Sequence, residues 1–414
     1  MGVRAGKNTA LVALGDGMLA VGRLHHTYER GRQHARFVYA DSWLADSRRF
    51  ALAPALALSS SPFYASSGVG GDPRDSLPGV FQDATPDSWG RLLMERVHGA
   101  GLSEFDILTL SDDETRQGAL RFLDEDGAVL AGKGDPVPRL VELEALRAAA
   151  ASIERRHEVA DDVLRRLVGA GGSIGGARPK ANVRGEEGLW IAKFSSIGDT
   201  SPVERIEVAT LHLARLCGLR TPDARLEFSQ GERPVALFRR FDREDGTRVP
   251  YMSARTALER EGTSQGSYTE IADAIRAISR SPVEDLREMW ARVLFTVLVT
   301  NTDDHLKNHG FLYAGNNLWR LSPLFDVNPQ PERHRLLKTA IIEGRPFEAS
   351  FDQAMEAAVF FGMTVEEAAA RARFMARTIE ENWKRLMRAH GLSPAQIKAL
   401  EPAFVHGEAE KASR

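Results

Sequence analysis

Asn301-Thr302-Asp303-Asp304-His305-Leu306-Lys307-Asn308, followed by a second carboxylate in Leu324-Phe325-Asp326-Val327, is the stretch on which the reading of this sequence turns. Asp303 and Asn308 stand at the spacing Asp-x-x-x-x-Asn, which phosphoryl-transfer loops use for a catalytic carboxylate and a metal-binding carboxamide. That spacing alone is weak evidence. Asp326 strengthens it, because an apolar, strand-like lead ends there in a hard oxygen ligand of the kind magnesium takes. Asp304 sets a second carboxylate beside the first and could share the role of base; the spacing to Asn308 favours Asp303. His305 and Lys307 interleave with the pair, and His305 fits a structural hydrogen bond as well as a nucleotide contact.

Phosphoryl transfer also needs a cation on the nucleotide phosphates, because positioning and charge neutralisation supply most of the catalysis. Lys193 lies inside the apolar run Leu189-Trp190-Ile191-Ala192-Lys193-Phe194, where burying an ammonium is costly unless it meets phosphate or a carboxylate. Glu207 on the following helix offers that carboxylate. Before it, Gly171-Gly172-Ser173-Ile174-Gly175-Gly176-Ala177-Arg178-Pro179-Lys180 lets backbone N–H groups approach phosphates closely. This is not a P-loop, since Ala181 follows Lys180 where a magnesium-binding hydroxyl would stand. Each piece has a plainer reading: Lys193 snorkelling from an edge strand, Glu207 solvated, the glycines a flexible linker, Asp303 capping a turn. The order of glycine loop, lysine, Asp/Asn pair and final Asp favours one nucleotide site, for ATP with magnesium (Mg2+).

Composition narrows the alternatives. The 414 residues are 43% hydrophobic, enough for more than one core. The 54 basic and 57 acidic side chains leave a formal charge of -3, so no global field marks nucleic acid or membrane as partner. The single cysteine, Cys217, allows no internal disulfide or thiolate cage and suits a reducing cytoplasm. No stretch reads as a signal peptide or a membrane span. Zinc is a poor alternative at His305, since the single cysteine, Cys217, lies in a predicted helix. The pair His25-His26 reads as surface residues.

Along the chain, Leu11–Leu14 and Met18–Val21 flank Gly15-Asp16-Gly17, a hairpin signal that opens a small β-rich module. Pro86-Asp87-Ser88 starts a helix. Helical patterning returns over 140–155 and 159–167. The runs Leu189–Phe194 and Pro234–Phe238 bracket a helix from about Val203 to Cys217. Beyond Thr256 the long segments are helical: 268–279, 283–299, 350–361 and 365–390. Residues 407–414 read as frayed. The implied organisation is α+β: residues 1–100 a β-rich module, 101–245 a small lobe carrying the glycine loop, and 246–414 a helical lobe carrying the catalytic and metal loops.

Taken together these motifs resemble the HipA family, the kinase toxins of bacterial HipBA toxin–antitoxin modules. The resemblance rests on Asn301–Asn308, on Phe325-Asp326-Val327 and on Ser173–Lys180. It extends to Arg240-Phe241-Asp242-Arg243, Gly218–Ala224, Leu77-Pro78 and Trp89-Gly90-Arg91. It implies a bilobal protein-kinase-like fold of the phosphoinositide-kinase-like branch, and a serine/threonine protein kinase in the cytoplasm. It also implies Asp303 as the catalytic carboxylate, with Asn308 and Asp326 on magnesium and Glu207 behind Lys193. Nucleotide contacts are implied from Gly175, Gly176, Ala177, Arg178, Pro179, Lys180, Lys193, His305, Lys307, Asn308, Phe325 and Asp326, with the backbone of Arg239 and Phe241 on adenine. Ser173 matches a serine whose autophosphorylation switches such kinases off. A phosphate there would add about −1.5 to −2 charges beside the ATP phosphates. The partners implied are a HipB-like helix-turn-helix antitoxin, operator DNA mainly through that antitoxin, and a host protein substrate, an aminoacyl-tRNA synthetase being the best-known class. An extra glycine at Gly175 and the pair Arg178-Pro179 depart from the family loop. Two rival readings are a catalytically silent co-repressor scaffold and a small-molecule phosphotransferase.

Overall fold

The computed structural model describes residues 7–414 apart from 30, 69, 132–136, 158, 161–162, 165, 168, 170–177, 229, 231–232, 263–264 and 333. The chain divides into two compact units. The first comprises Met1–Ile197, Arg240–Thr263 and Gly315–Asn317; the second comprises Gly198–Arg239, Ser264–Ala314 and Leu318–Arg414.

In the first unit, strands β1 (Lys7–Leu14), β2 (Leu19–Glu29), β3 (Arg32–Tyr39), β4 (Phe63–Ser66) and β5 (Leu120–Leu123) form an antiparallel sheet in the order β4-β3-β2-β1-β5. The sheet thus draws on chain beyond residue 100. The hairpin read from Gly15-Asp16-Gly17 forms, with left-handed backbone at Gly15 (φ 66°) and Met18 (φ 48°). Gly22 of β2 sits where a Cβ would lie 2.4 Å from the Val38 carbonyl oxygen and 2.7 Å from the Phe37 ring, so no larger residue fits without moving backbone. Helices α1 (Ser88–His98) and α2 (Glu104–Leu110) lie between β4 and β5 in the chain. The inward face collects Val12, Val21, Leu24, Phe37, Phe81 and Phe122, with Phe81 meeting Phe37 and Phe122 edge-on.

His26 corrects the sequence reading. Strand residues two apart share a face, so His26 goes inward with Leu24, is buried, and stacks on Phe105 of α2 with ring centroids 5.6 Å apart. Burial holds its pKa below the usual histidine value. His25, on the other face, is only half-buried. Farther along, α3 (Leu143–Glu154) precedes a hairpin of β6 (Lys180–Gly185) and β7 (Gly188–Phe194). Trp89 of α1 ties this hairpin in by donating from Nε1 to the Lys180 carbonyl at 2.9 Å.

The second unit opens with α4 (Val203–Leu216) and the antiparallel pair β8 (Ala224–Glu227) and β9 (Val235–Arg239). Then come α5 (Tyr268–Ile278), α6 (Pro282–Leu298) and a short hairpin of β10 (Gly310–Tyr313) and β11 (Trp319–Leu321). Helices α7 (Phe351–Ala357), α8 (Val365–Ala389), α9 (Pro394–Phe404) and α10 (Gly407–Ser413) complete it.

Helix α6 is central. From Asp285 onward nearly every side chain is buried, as for a helix apolar all round, and fully burying one such as Phe295 stabilises by about 1.5–3 kcal/mol. Its buried charges are matched. Asp285 accepts from Arg220, Arg320, Ser279 and the Leu321 N–H, while Arg292 pairs with Glu288 and donates to the Ser322 carbonyl. Residues 407–414 do not fray as composition suggested. His406 caps α10 by accepting the Ala409 N–H on Nδ1 at 3.2 Å, Glu408 accepts the Phe351 N–H, and Ala412 is buried. A histidine N-cap was not read from the sequence. Among the described residues no helix is long and apolar enough to cross a membrane.

Candidate active site

The loop from Asn301 to Asn308 begins where α6 ends. Asn301 N–H bonds back to the Thr296 carbonyl at 3.0 Å and Thr300 N–H to that of Val297, a Schellman closure with Thr300 in the left-handed position (φ 54°). Glycine is usual there; a β-branched residue costs roughly 1–2 kcal/mol. The cost is offset by the side chain, whose Oγ1 donates to the Ala403 carbonyl at 2.9 Å and lies 3.4 Å from Nε2 of His406. The same Nε2 is 3.2 Å from the Leu298 carbonyl. Since Nδ1 of His406 accepts from Ala409, its proton sits on Nε2. The segment between α9 and α10 therefore braces the start of the loop.

Past Thr302 the side chains alternate. Asp303 and His305 are exposed, Asp304 and Leu306 are buried, Lys307 is half-buried and Asn308 is buried. Asp304 is 2% exposed and accepts on Oδ2 from the Tyr268 hydroxyl (2.5 Å), His309 Nε2 (3.1 Å) and Thr296 Oγ1 (3.3 Å). Its carbonyl takes the Thr339 hydroxyl at 2.9 Å. Burial works to raise the Asp304 pKa, but His309 and the Tyr268 hydroxyl outweigh it and hold the carboxyl below its usual value. The same burial beside Asp304 pushes the Tyr268 phenol well up. Asp304 thus anchors the loop through Oδ2 and its carbonyl. Asp303 is the carboxylate of the pair that solvent or a substrate can reach.

Asn308 closes a single 3-10 turn, its N–H donating to the His305 carbonyl at 2.8 Å, and its Nδ2 donates to the Asp303 carbonyl at 3.3 Å. With the amide nitrogen so used, Oδ1 is the atom it can offer a cation. Asp326, half-buried beside half-buried Phe325, holds a left-handed backbone (φ 58°), which for a residue other than glycine is a strained conformation of the kind found at functional sites. The two loops are laced together: Asn301 Oδ1 accepts the Asn328 N–H at 3.1 Å, and the Thr300 carbonyl accepts the Gln330 N–H at 2.9 Å. One carboxylate oxygen and one carboxamide oxygen fit magnesium, which keeps waters and phosphate oxygens in its shell and needs few protein ligands. Among the described residues no group of three or more His, Cys, Asp or Glu forms an all-protein cage.

In the first unit, register places Lys180 of β6 directly opposite Lys193 of β7. Lys180 is buried and Lys193 half-buried. Like charges directly opposite across a strand pair repel, and an anion held by both would reverse that cost. Pro179 is buried, Arg178 half-buried, and the Pro179 carbonyl takes the Phe194 N–H at 2.9 Å. Ser173, Gly175, Gly176 and Ala177 lie outside the described residues. Glu207 is a buried residue of α4, in the second unit, whereas Lys193 belongs to the first.

The segment 239–243 holds a network that sequence reading missed. Arg239 is exposed and its N–H donates to the Asp223 carbonyl at 2.8 Å. Phe241 is half-buried, tilted against Tyr251 at 6.4 Å. Arg240 is buried and grips Asp242 twice, at 2.8 and 2.5 Å; it also donates to Asn182 Oδ1 and to the carbonyls of Thr115 and Arg116. Arg243 donates to Asp242 and to the carbonyls of Glu114 and Arg116, while Asp242 accepts the Gly118 N–H at 2.8 Å. Burial alone would raise the Asp242 pKa; Arg240, Arg243 and the Gly118 N–H instead hold it far below the usual range. Burial brings Arg243 down to about 10, against the pull of Asp242. The run of charges in Arg239-Arg240-Phe241-Asp242-Arg243, straight after an apolar strand, was the available signal.

With this geometry in view, two family models match: the HipA N-terminal domain over residues 12–123 and the HipA-like C-terminal domain over residues 172–383. The solved complex of the Shewanella oneidensis MR-1 toxin antitoxin system HipA, HipB and its operator DNA aligns over 98% of this chain and 96% of that one, at 16% identity and a TM-score of 0.67. At that identity the likeness speaks for the fold, which is α+β and kinase-like. A Haemophilus influenzae protein named "Putative kinase" is 28% identical over 143 residues, 30% of this chain and 42% of the relative's length. The chain belongs to the HipA family.

Proposed function

We propose that this chain is an ATP- and magnesium-dependent serine/threonine protein kinase. In this reading it acts as a toxin that arrests growth by phosphorylating a host protein, possible targets including an aminoacyl-tRNA synthetase, and is restrained by a HipB-like helix-turn-helix antitoxin. The observation that carries the reading is the division of labour in the catalytic loop. Asp304 is buried and accepts three hydrogen bonds on Oδ2, and Asp303 next to it is exposed, with Asn308 bonded to its carbonyl.

Asp303 takes up the proton of the attacking hydroxyl. Asn308 Oδ1 and the Asp326 carboxylate would hold magnesium, which would neutralise charge on the phosphate oxygens. Lys193 and Lys180 meet the phosphates from the β6–β7 hairpin, with Glu207 as the carboxylate behind Lys193. Arg178, Pro179, His305, Lys307 and Phe325 line the nucleotide, and the backbone of Arg239 and Phe241 meets adenine. In the glycine loop, Gly175, Gly176 and Ala177 give N–H groups to the phosphates, and Ser173 is the site where autophosphorylation shuts the enzyme off. The reading places the protein in the cytoplasm, with operator DNA reached mainly through the antitoxin; the Shewanella relative was solved together with HipB and operator DNA. It assigns the protein no membrane partner.

The test is transfer of label from γ-phosphate-labelled ATP by the purified chain, with and without magnesium. The wild type labels itself or an added protein, and Asp303→Asn loses about 100-fold or more of the rate. Ser173→Ala loses self-labelling yet stays toxic to cells. Magnesium-dependent label missing from both wild type and Ser173→Ala refutes the reading.

A further inference from the structure

Asn301 opens the motif, yet no chemical role has fallen to it. It is 1% exposed, so its side chain is not placed to touch a substrate. Its N–H completes the C-terminal closure of α6, and its Oδ1 accepts the Asn328 N–H two residues beyond Asp326. A second rung, from Gln330 N–H to the Thr300 carbonyl, runs beside it. On either side of these rungs the backbone is left-handed at a residue other than glycine, Thr300 on one loop and Asp326 on the other. Such conformations persist only where surrounding structure over-determines them.

We infer that Asn301 is a positioning residue for the metal, clamping the loop that carries Asp326 onto the loop that carries Asp303 and Asn308. This rests on the functional reading above. Two ligands on separate loops form a metal site only if something fixes one loop against the other. The Asn301 rung is the one that changing a side chain can remove, because the Thr300 rung runs from backbone N–H to backbone carbonyl. A leucine at 301 has similar volume but no acceptor. It would leave the Asn328 N–H unpaired and free Asp326 to relax from its left-handed conformation.

Binding of Mn2+ with a non-hydrolysable ATP analogue, followed by electron paramagnetic resonance, reads the effect directly. Asn301→Leu should weaken Mn2+ binding by about tenfold, the lower end of what loss of a supporting hydrogen bond does at metal sites. Asn301→Asp, which keeps an acceptor, should stay within about threefold. In turnover, the magnesium needed for half-maximal rate should rise in parallel, with kcat recovering at saturating magnesium. A purely structural lesion would not be rescued that way. Should Asn301→Leu not fold, Asn328→Pro removes the donor from the other end and should give the same loss. Amide exchange in the wild type supplies a check free of variants: the Asn328 N–H should exchange slowly. Wild-type Mn2+ affinity in either folded variant, or fast exchange at Asn328, overturns the inference. Failure of the wild type to bind Mn2+ with nucleotide brings down the kinase reading instead.

Discussion

Acidification should unlatch the C-terminal brace of the catalytic loop through one residue. His406 is buried, receives the Ala409 N–H on Nδ1 and presents Nε2–H to the Leu298 carbonyl and Thr300. Burial and the charge of Arg335 bring its pKa down to about 4, with Glu408 the acidic group opposing them. The unfolded chain binds a proton at about 6.5. The folded state therefore holds fewer protons than the unfolded state between these values, and stability is lost as pH falls from 6.5 towards 4. At about 1.4 kcal/mol per pH unit the loss approaches 3 kcal/mol, roughly a third of a domain's stability. The structural reason is that an imidazolium cannot accept the Ala409 N–H, so the cap of α10 and the support of left-handed Thr300 fail together. The assay is urea unfolding at pH 7, 6, 5 and 4.5, comparing wild type with His406→Asn, which keeps a capping acceptor but does not titrate. The wild type should lose stability relative to the variant by about 2–3 kcal/mol across this range. Parallel loss in the two proteins would refute the reasoning, since the fall would then belong to other groups.

Asp304→Ala should cost about 3–5 kcal/mol by urea unfolding, because Tyr268 and His309 are left as buried groups facing an empty site. Asp303→Asn should shift the melting temperature by no more than a degree or two, since an exposed carboxylate contributes little to stability; a large drop would mean that the residue is structural. Asp242→Ala should cost a similar 3–5 kcal/mol, leaving two buried guanidinium groups without their anion, and Asp242→Asn less; calorimetric melting separates them.

Much of the fold was legible because its signals are local. The Gly-Asp-Gly turn, the helix starting at Ser88 and the long helices beyond Tyr268 each announce themselves by turn chemistry or by period, and each is present. The order of the candidate site residues was legible for the same reason. Hidden was whatever depends on partners distant in sequence. In the sequence Asp303 and Asp304 differ only in their spacing to Asn308, and it takes Tyr268, Thr296 and His309 to show which of the two is buried and bonded. The opposition of Lys180 and Lys193 depends on a hairpin turn at Gly185–Gly188 that was not read as one. His26 had a legible cue, its two-residue spacing from Leu24, which the polarity of histidine overrode.

Arg240 and its neighbours carry a practical consequence. The two family models match separate stretches, 12–123 and 172–383, which invites expressing the second alone as a minimal enzyme. Yet the guanidinium groups of Arg240 and Arg243 finish their hydrogen bonding on carbonyls at Glu114, Thr115 and Arg116, and Asp242 finishes its own on the Gly118 N–H. Cutting the chain between the two matches would strip a buried ion cluster of its outer wall and let water into the segment proposed to hold adenine. The boundary between the matched stretches is one of sequence bookkeeping, and a fragment that respects it should be insoluble or blind to nucleotide.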